Sequence, residues 1–170
     1  MEIEYVDIVN EKNEVIGKTS KQESHEKGLL HRTVVAELIG SDGKWTLVKQ
    51  ASDRQDAGQF VSPVGGHVSA GESEGDAMRR EANEELGITV TDNFKLIGRS
   101  IFNRFVCGRQ ENHYFILYQI SSDEKPILNH ESVGYERFSP DELREALKES
   151  PEKFGDAFHF LVKEFYPELL

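Results

Sequence analysis

Residues 66–88 read GHVSAGESEGDAMRREANEELGI, and this stretch decides the fold. Ser73, with Asp76 three residues on, is a helix N-cap signature, and Gly87 supplies a C-terminal stop. The spacing predicts a helix from Ser73 to Leu86, with Met78, Ala82 and Leu86 forming one buried stripe. The stretch holds six acids (Glu72, Glu74, Asp76, Glu81, Glu84, Glu85) against two bases, Arg79 and Arg80. Glu81, Glu84 and Glu85 lie at i, i+3 and i+4, so they share one helical face, where like charges destabilise a helix unless something offsets them. Hard carboxylate oxygens so placed suit Mg²⁺ or Mn²⁺. Alone, these three glutamates would read as a solvated acidic face. The flanking residues change that: Arg80 can reach Glu84, or fold back to Glu72, and fix the carboxylates by charge-assisted hydrogen bonds. Gly65-Gly66 lets backbone approach closely, so a main-chain carbonyl can join the ligands.

Working outward, the rest of the chain predicts one layered α/β domain over residues 1–170. A hairpin is expected over about residues 4–19, around Asn10-Glu11-Lys12-Asn13. Ser20–Lys27 reads as a polar stretch. Thr33–Ile39 and Trp45–Lys49 are strand-like and joined by the turn Gly40-Ser41-Asp42-Gly43. Phe60–Val68, Phe94–Phe105, Tyr114–Ile120 and Val133–Phe138 complete the expected strands; Ala51–Gln59 and Ser100–Asn112 are expected loops that would set specificity. Two closing helices are predicted at about 140–149 and 151–166, each opened by a Ser-Pro pair and an acidic first turn.

Composition excludes several function classes. The chain has 170 residues and a formal charge of −11, from 20 Lys+Arg and 31 Asp+Glu. A nucleic-acid reader usually carries a basic patch, and the longest basic run here is Arg79-Arg80, so no nucleic-acid partner is expected. An acidic chain binds phosphates where a divalent metal bridges the repulsion. No stretch approaches the roughly 20 apolar residues of a bilayer span, and the acidic N-terminus lacks a signal's apolar run. With Cys107 as the single cysteine, a cytoplasmic protein without membrane contact is expected, as a monomer or homodimer.

The spacing Gly66, five residues, Glu72, seven residues, then Arg80-Glu81-x-x-Glu84-Glu85-x-Gly87-Ile88 resembles the Nudix box in every fixed position. Ala82 departs from the pattern, standing where a larger aliphatic is common. The resemblance implies a Nudix α/β/α sandwich with a mixed β-sheet and a loop–helix–loop box, and hydrolysis of a small-molecule diphosphate joined to another moiety. Carried over, Glu84 and Glu85 become the principal metal ligands for Mg²⁺, with Mn²⁺ as a substitute. Glu81 joins them or orients the water, the Gly65 carbonyl adds a ligand, and Arg80 and Glu72 support the loop. Glu111 and Glu131 are the two downstream acids open to assist as ligand or base.

Beyond the box, Tyr5–Asn10, Glu14–Gly17 and His25–Arg32 resemble the isopentenyl-diphosphate-isomerase-like branch of the family. That resemblance implies a second metal site from His25, His31 and His67, with Glu111 as a further candidate. Residue by residue, the alternatives are plainer: His25 as an exposed loop residue, His31 as a strand start bonded to backbone, His113 as a space filler, and Glu111 as a surface acid. Phe102, Phe105 and Tyr114 read either as core or as stacking residues. The isomerase's cysteine and glutamate positions fall at Gly65 and His113, so neither proton-transfer group is present. Three readings stay open: a metal-dependent diphosphate hydrolase, an isomerase, and a non-catalytic diphosphate-binding module.

Overall fold

A computed structural model describes residues 2–170. The centre is strand β3 (His31–Ile39), which joins four neighbours. It runs parallel to β8 (Arg109–Ser121) and antiparallel to β1 (Tyr5–Val9), β4 (Trp45–Gln50) and β6 (Val64–His67). Strand β2 (Val15–Ser20) extends the sheet beyond β1, β7 (Phe94–Val106) pairs with β8, and β4 also carries β5 (Phe60–Val61) and β9 (Ser132–Phe138). The result is a curled mixed sheet with helices on both faces, as the α/β reading expects.

Period-two alternation along β3 builds two cores. Val34, Ala36 and Leu38 face helix α2 (Glu74–Leu86), whose Met78, Ala82 and Leu86 are fully buried. Burying a Met or Leu side chain contributes roughly 1.5–3 kcal/mol, enough to outweigh the local charge repulsion on the other face of this helix. Val35 faces the opposite core, with helices α3 (Pro140–Glu149) and α4 (Asp156–Phe165). The N-cap of α2 is Ser73, which accepts from Asp76 N at 3.2 Å, and Gly87 closes it with φ 64°. Ser139 and Glu142 form a capping box on α3.

Three expectations are corrected. Ser20–Lys27 contains helix α1 (Lys21–Glu26), which has no apolar period and is held by Ser20 at its N-cap and by packing on β1, β2 and β8. The helix expected at 151–166 is broken: a 3₁₀ turn, Pro151–Lys153, precedes α4. Phe154 bridges to Phe60 and Gly155 N donates to Phe60 O at 2.9 Å, so sheet pairing overrides the local helical pattern there. Ser100–Asn112 is not a loop but the far half of the β7–β8 hairpin. Its two-residue turn, Cys107-Gly108, has positive φ at both positions (52° and 74°), the twist such hairpins need. No helix among the described residues is long and apolar enough to cross a membrane.

Candidate active site and its histidine neighbour

The acidic face of α2 meets the end of β6. Arg80 folds back to Glu72 with two prongs, Nε–Oε2 at 2.9 Å and Nη2–Oε1 at 3.0 Å. It also donates to Glu81 at 2.7 Å and to the His67 carbonyl at 3.0 Å. Glu72 accepts from Ser69 N at 3.0 Å, so one arginine ties loop, strand and helix together. The Arg80 guanidinium holds the Glu72 carboxyl below its ordinary range. Glu84 lies 3.6 Å from Arg80 and is half exposed. A methyl group at Gly66 would overlap the Glu81 carboxylate and push it from this position.

Glu85 is the most perturbed acid. Gly65 N donates to it at 2.9 Å, yet burial, reinforced by Glu131 within hydrogen-bonding reach and by Glu81, pushes its carboxyl up to about 10. Burial also raises Glu81. Glu131 arrives here because Ile127 N bonds Leu86 O at 2.8 Å and Asn129 bridges Glu84 O and Glu131 N. Arg54 pairs with Glu131 at 2.8 Å. Crowded carboxylates of this kind take up either a proton or a cation. Their oxygens are hard ligands, so the donor set fits a divalent metal such as Mg²⁺ or Mn²⁺. The box acids are not drawn to ligand spacing as a group of three, which is the arrangement mutual repulsion favours.

These acids line one side of a cavity of about 760 Å³ that runs under β3 and α4. Its floor is apolar, from Val35, Val61, Phe102, Phe115, Phe158 and Leu161. Another part of the lining is an ion network. Glu111, 2% exposed, accepts from Gln55 at 2.9 Å, Arg104 at 3.2 Å and Arg109 at 2.9 Å. Arg104 also contacts Asp56 at 3.4 Å and lies over the Phe102 ring.

Beside this network stand four histidines. His25 comes from α1, His31 from the start of β3, His67 from the end of β6 and His113 from β8. His31 is in register with His113, and Thr33 with His67, so the three strand histidines share one face while α1 lays His25 across them. One ligand atom from each lies within 4.8 Å of all the others, the only such group of His, Cys or acids among the described residues. His25, His31 and His113 are buried. Burial pulls the His25 imidazole down to about 4 and lowers the other three as well, so all four are neutral at pH 7.

Comparison with known proteins follows the same lines. The NUDIX domain family matches residues 29–158, most of the chain. An uncharacterised Nudix hydrolase of Clostridium acetobutylicum is 31% identical over 156 residues, covering 86% of this chain and 75% of that protein. The chain belongs to the Nudix family. An isopentenyl-diphosphate Δ-isomerase of Aliivibrio fischeri is 29% identical over 175 residues, covering 98% and 97% of the two chains. In fold, this Nudix protein is similar to a crystal structure from Deinococcus radiodurans, with TM-score 0.76 and 24% identity over 96% of this chain and 99% of that one.

Within the Nudix site, Arg80, Glu81, Glu84, Glu85, Gly65 and Glu131 all line the cavity, and Glu72 is tied to it through Arg80. Glu111 also lines the cavity and is no surface acid; His25 is no exposed loop residue, and His113 is buried beside the other three histidines. Of the aromatics, Phe102 lines the cavity, Tyr114 packs on the α2 core and Phe105 is 73% exposed. Arg54, Arg104, Arg109 and Lys21 also line the cavity and were missed: Arg104 and Arg109 face each other's strand only once Ser100–Asn112 is a hairpin, while Arg54 in the loop before β5 and Lys21 on α1 carry no local signal. Glu74, outside the fixed pattern, is not a free acid: Asn13 and Arg99 each donate to it at 2.9 Å.

The raised Glu85 group has a consequence for metal-free protein. A carboxyl whose folded pKa exceeds its unfolded value contributes stability at low pH and loses it as pH rises towards the folded value. Above about pH 7 the histidines no longer titrate in either state, which isolates Glu85 and its acid neighbours. In chelator-treated protein, Tm should fall from about pH 7.5 to 9.5. Glu85→Gln should flatten that slope; an unchanged slope would show that Glu85 is already ionised at neutral pH.

Proposed function

We propose that the chain is a metal-dependent hydrolase, a single Nudix domain that cleaves the diphosphate linkage of a nucleoside diphosphate joined to another moiety, or of a related small diphosphate. As a Nudix hydrolase it is an enzyme of the pyrophosphatase type, and such enzymes are generally dependent on divalent metal. One observation carries the reading: the box keeps all its acids, with Arg80 clamped on Glu72 and Glu81 while half-buried Glu85 is held against Gly65 and Glu131.

Glu81, Glu84 and Glu85, with the Gly65 carbonyl, would hold Mg²⁺, or Mn²⁺ in its place; Glu131 is placed to join them. The bound cation supplies charge neutralisation at the diphosphate and a more acidic water. Glu81, raised by burial, is suited to accept the proton from that attacking water. Arg80 and Glu72 hold the loop so that the carboxylates need not reorganise. Arg54 and Lys21, on the cavity wall, are placed to receive phosphate oxygens, and the apolar floor accepts the attached moiety. Glu111 acts from behind, aligning Arg104 and Arg109. A hydrolysis screen against a panel of diphosphates, with Mg²⁺ and with Mn²⁺, tests the reading; no cleavage of any member would overturn it.

The isomerase reading is disfavoured because Gly65 offers no thiol and His113 no carboxyl at the two proton-transfer positions. Incubation with isopentenyl diphosphate should therefore yield no dimethylallyl isomer, followed by product chromatography. Isomer above the no-enzyme control would reverse the assignment.

A further inference from the structure

One buried acid, Glu37 of β3, has no part in the chemistry above. We infer that Glu37 is a positioning residue for Ser62, making its hydroxyl a donor that selects attached moieties bearing a hydrogen-bond acceptor, such as a carbonyl or ring nitrogen, over plain hydrocarbon. The inference rests on the proposed diphosphate reading, which lays the attached moiety on the apolar floor.

Glu37 lies two residues from Val35 on the same face of β3, so it enters the core beneath α3 and α4. It is 1% exposed. Its Oε1 lies 2.5 Å from Ser62 Oγ, and its Oε2 is buried with no partner. Ser62, unlike Glu37, lines the cavity, next to the floor residue Val61 and three residues before Gly65. Glu37 therefore stands behind a hydroxyl that a ligand can touch.

The surroundings favour the neutral acid. Gln119 is beside Glu37 in parallel register, and Tyr166 at the C-cap of α4 donates to Gln119 at 3.3 Å. Tyr166 is the titratable group facing Glu37, and burial, reinforced by Glu37 itself, holds its phenol protonated. From β4, α3 and α4 the same core receives Leu47, Leu143, Leu147, Leu161 and Val162, all apolar. No cation pairs with Glu37 among the described residues, and burial pushes its carboxyl up to about 7.

The count of donors and acceptors fixes the direction of the bond. A neutral carboxyl has one O–H and one carbonyl oxygen. On Oε2 the proton would be a buried donor without an acceptor; on Oε1 it reaches Ser62 Oγ and leaves only a bare acceptor, the less costly omission. Glu37 thus donates, Ser62 accepts, and the serine's own proton is free for the cavity. Ionisation reverses this. A carboxylate only accepts, so Ser62 must then donate to Glu37 and shows the cavity lone pairs alone. On an apolar floor, one oriented donor separates ligands of equal shape.

The test uses the full chain with Mg²⁺ and methylene-bridged, uncleavable analogues of para-acetylbenzyl diphosphate and its para-ethylbenzyl isostere, with the meta pair alongside. At about pH 6, calorimetry should give the better-bound acetyl analogue roughly 3–10-fold the affinity of its isostere, the effect of one net hydrogen bond. At about pH 8.5, with Glu37 ionised, the two affinities should be nearly equal. Titration of the box acids and of the bridged phosphonate is common to both members and cancels in the ratio. Ser62→Ala should bring the ratio to one at both pH values. Glu37→Gln imitates the neutral acid, offering an amide N–H to Ser62 Oγ, and should keep the ratio at both. Should Glu37→Gln fail to fold, wild type against Ser62→Ala across the same pH range still decides. A wild-type ratio of one at the lower pH, no binding of any analogue, a ratio unchanged in Ser62→Ala, or pH dependence retained in Glu37→Gln would each overturn the proposal. Selective binding without cleavage of the parent diphosphates would support it and overturn the hydrolase reading instead.

Discussion

Glu84→Gln is expected to lower kcat by on the order of 10²–10³-fold, the effect of removing one strong electrostatic contact worth roughly 2.7–4 kcal/mol. The substitution keeps size and hydrogen bonding but takes a charge from the acid face. Glu84 is the box acid best placed to lose only that, because its side chain is half exposed and its one cationic neighbour, Arg80, stands at 3.6 Å. The same charge raises the neighbouring Glu81 carboxyl, so its removal relieves repulsion. The variant should therefore melt no lower than wild type without metal while being nearly inactive, as at sites where function is held against stability. Glu74→Gln is a poor control, since it would break the contacts to Asn13 and Arg99. Glu145→Gln, on the exposed side of α3, should be near neutral in both assays. Equal turnover in Glu84→Gln and Glu145→Gln would reduce the acid face to solvated surface.

Metal removal should have the largest effect of all. Chelation should abolish diphosphate cleavage, because the substrate's negative charge would then face Glu81, Glu84, Glu85 and Glu131 uncompensated. Add-back of Mg²⁺ or Mn²⁺ should restore turnover. Full activity in a sample verified as metal-free would falsify the hydrolytic mechanism proposed here.

The Nudix helix was legible because its determinants are local. Ser73, the Met78–Ala82–Leu86 stripe and Gly87 act within a few turns of one another, so cap, core face and stop are all read from spacing. The clamp of Arg80 was legible only as a choice between Glu84 and Glu72, both within reach of a long side chain. The fold resolves it, because strand β6 brings the His67 carbonyl and the Glu72 loop to the same guanidinium.

What tertiary structure alone decided lies where local preference is weak or overruled. Six residues of α1 carry no apolar period, and their helix exists because the surrounding strands hold it, which turns His25 from a surface residue into a buried one. Phe154 and Gly155 leave the helical path because Phe60 offers them backbone partners. Glu111 is buried because β7 and β8 pair through Cys107-Gly108, placing Arg104 opposite it in register. The sequence by itself determined the acid box, its helix and the chemistry of a diphosphate. The meeting of His25, His31, His67 and His113 was decided only by tertiary structure: a parallel register brings His31 to His113 across 82 positions, an antiparallel one adds His67, and the packing of α1 adds His25.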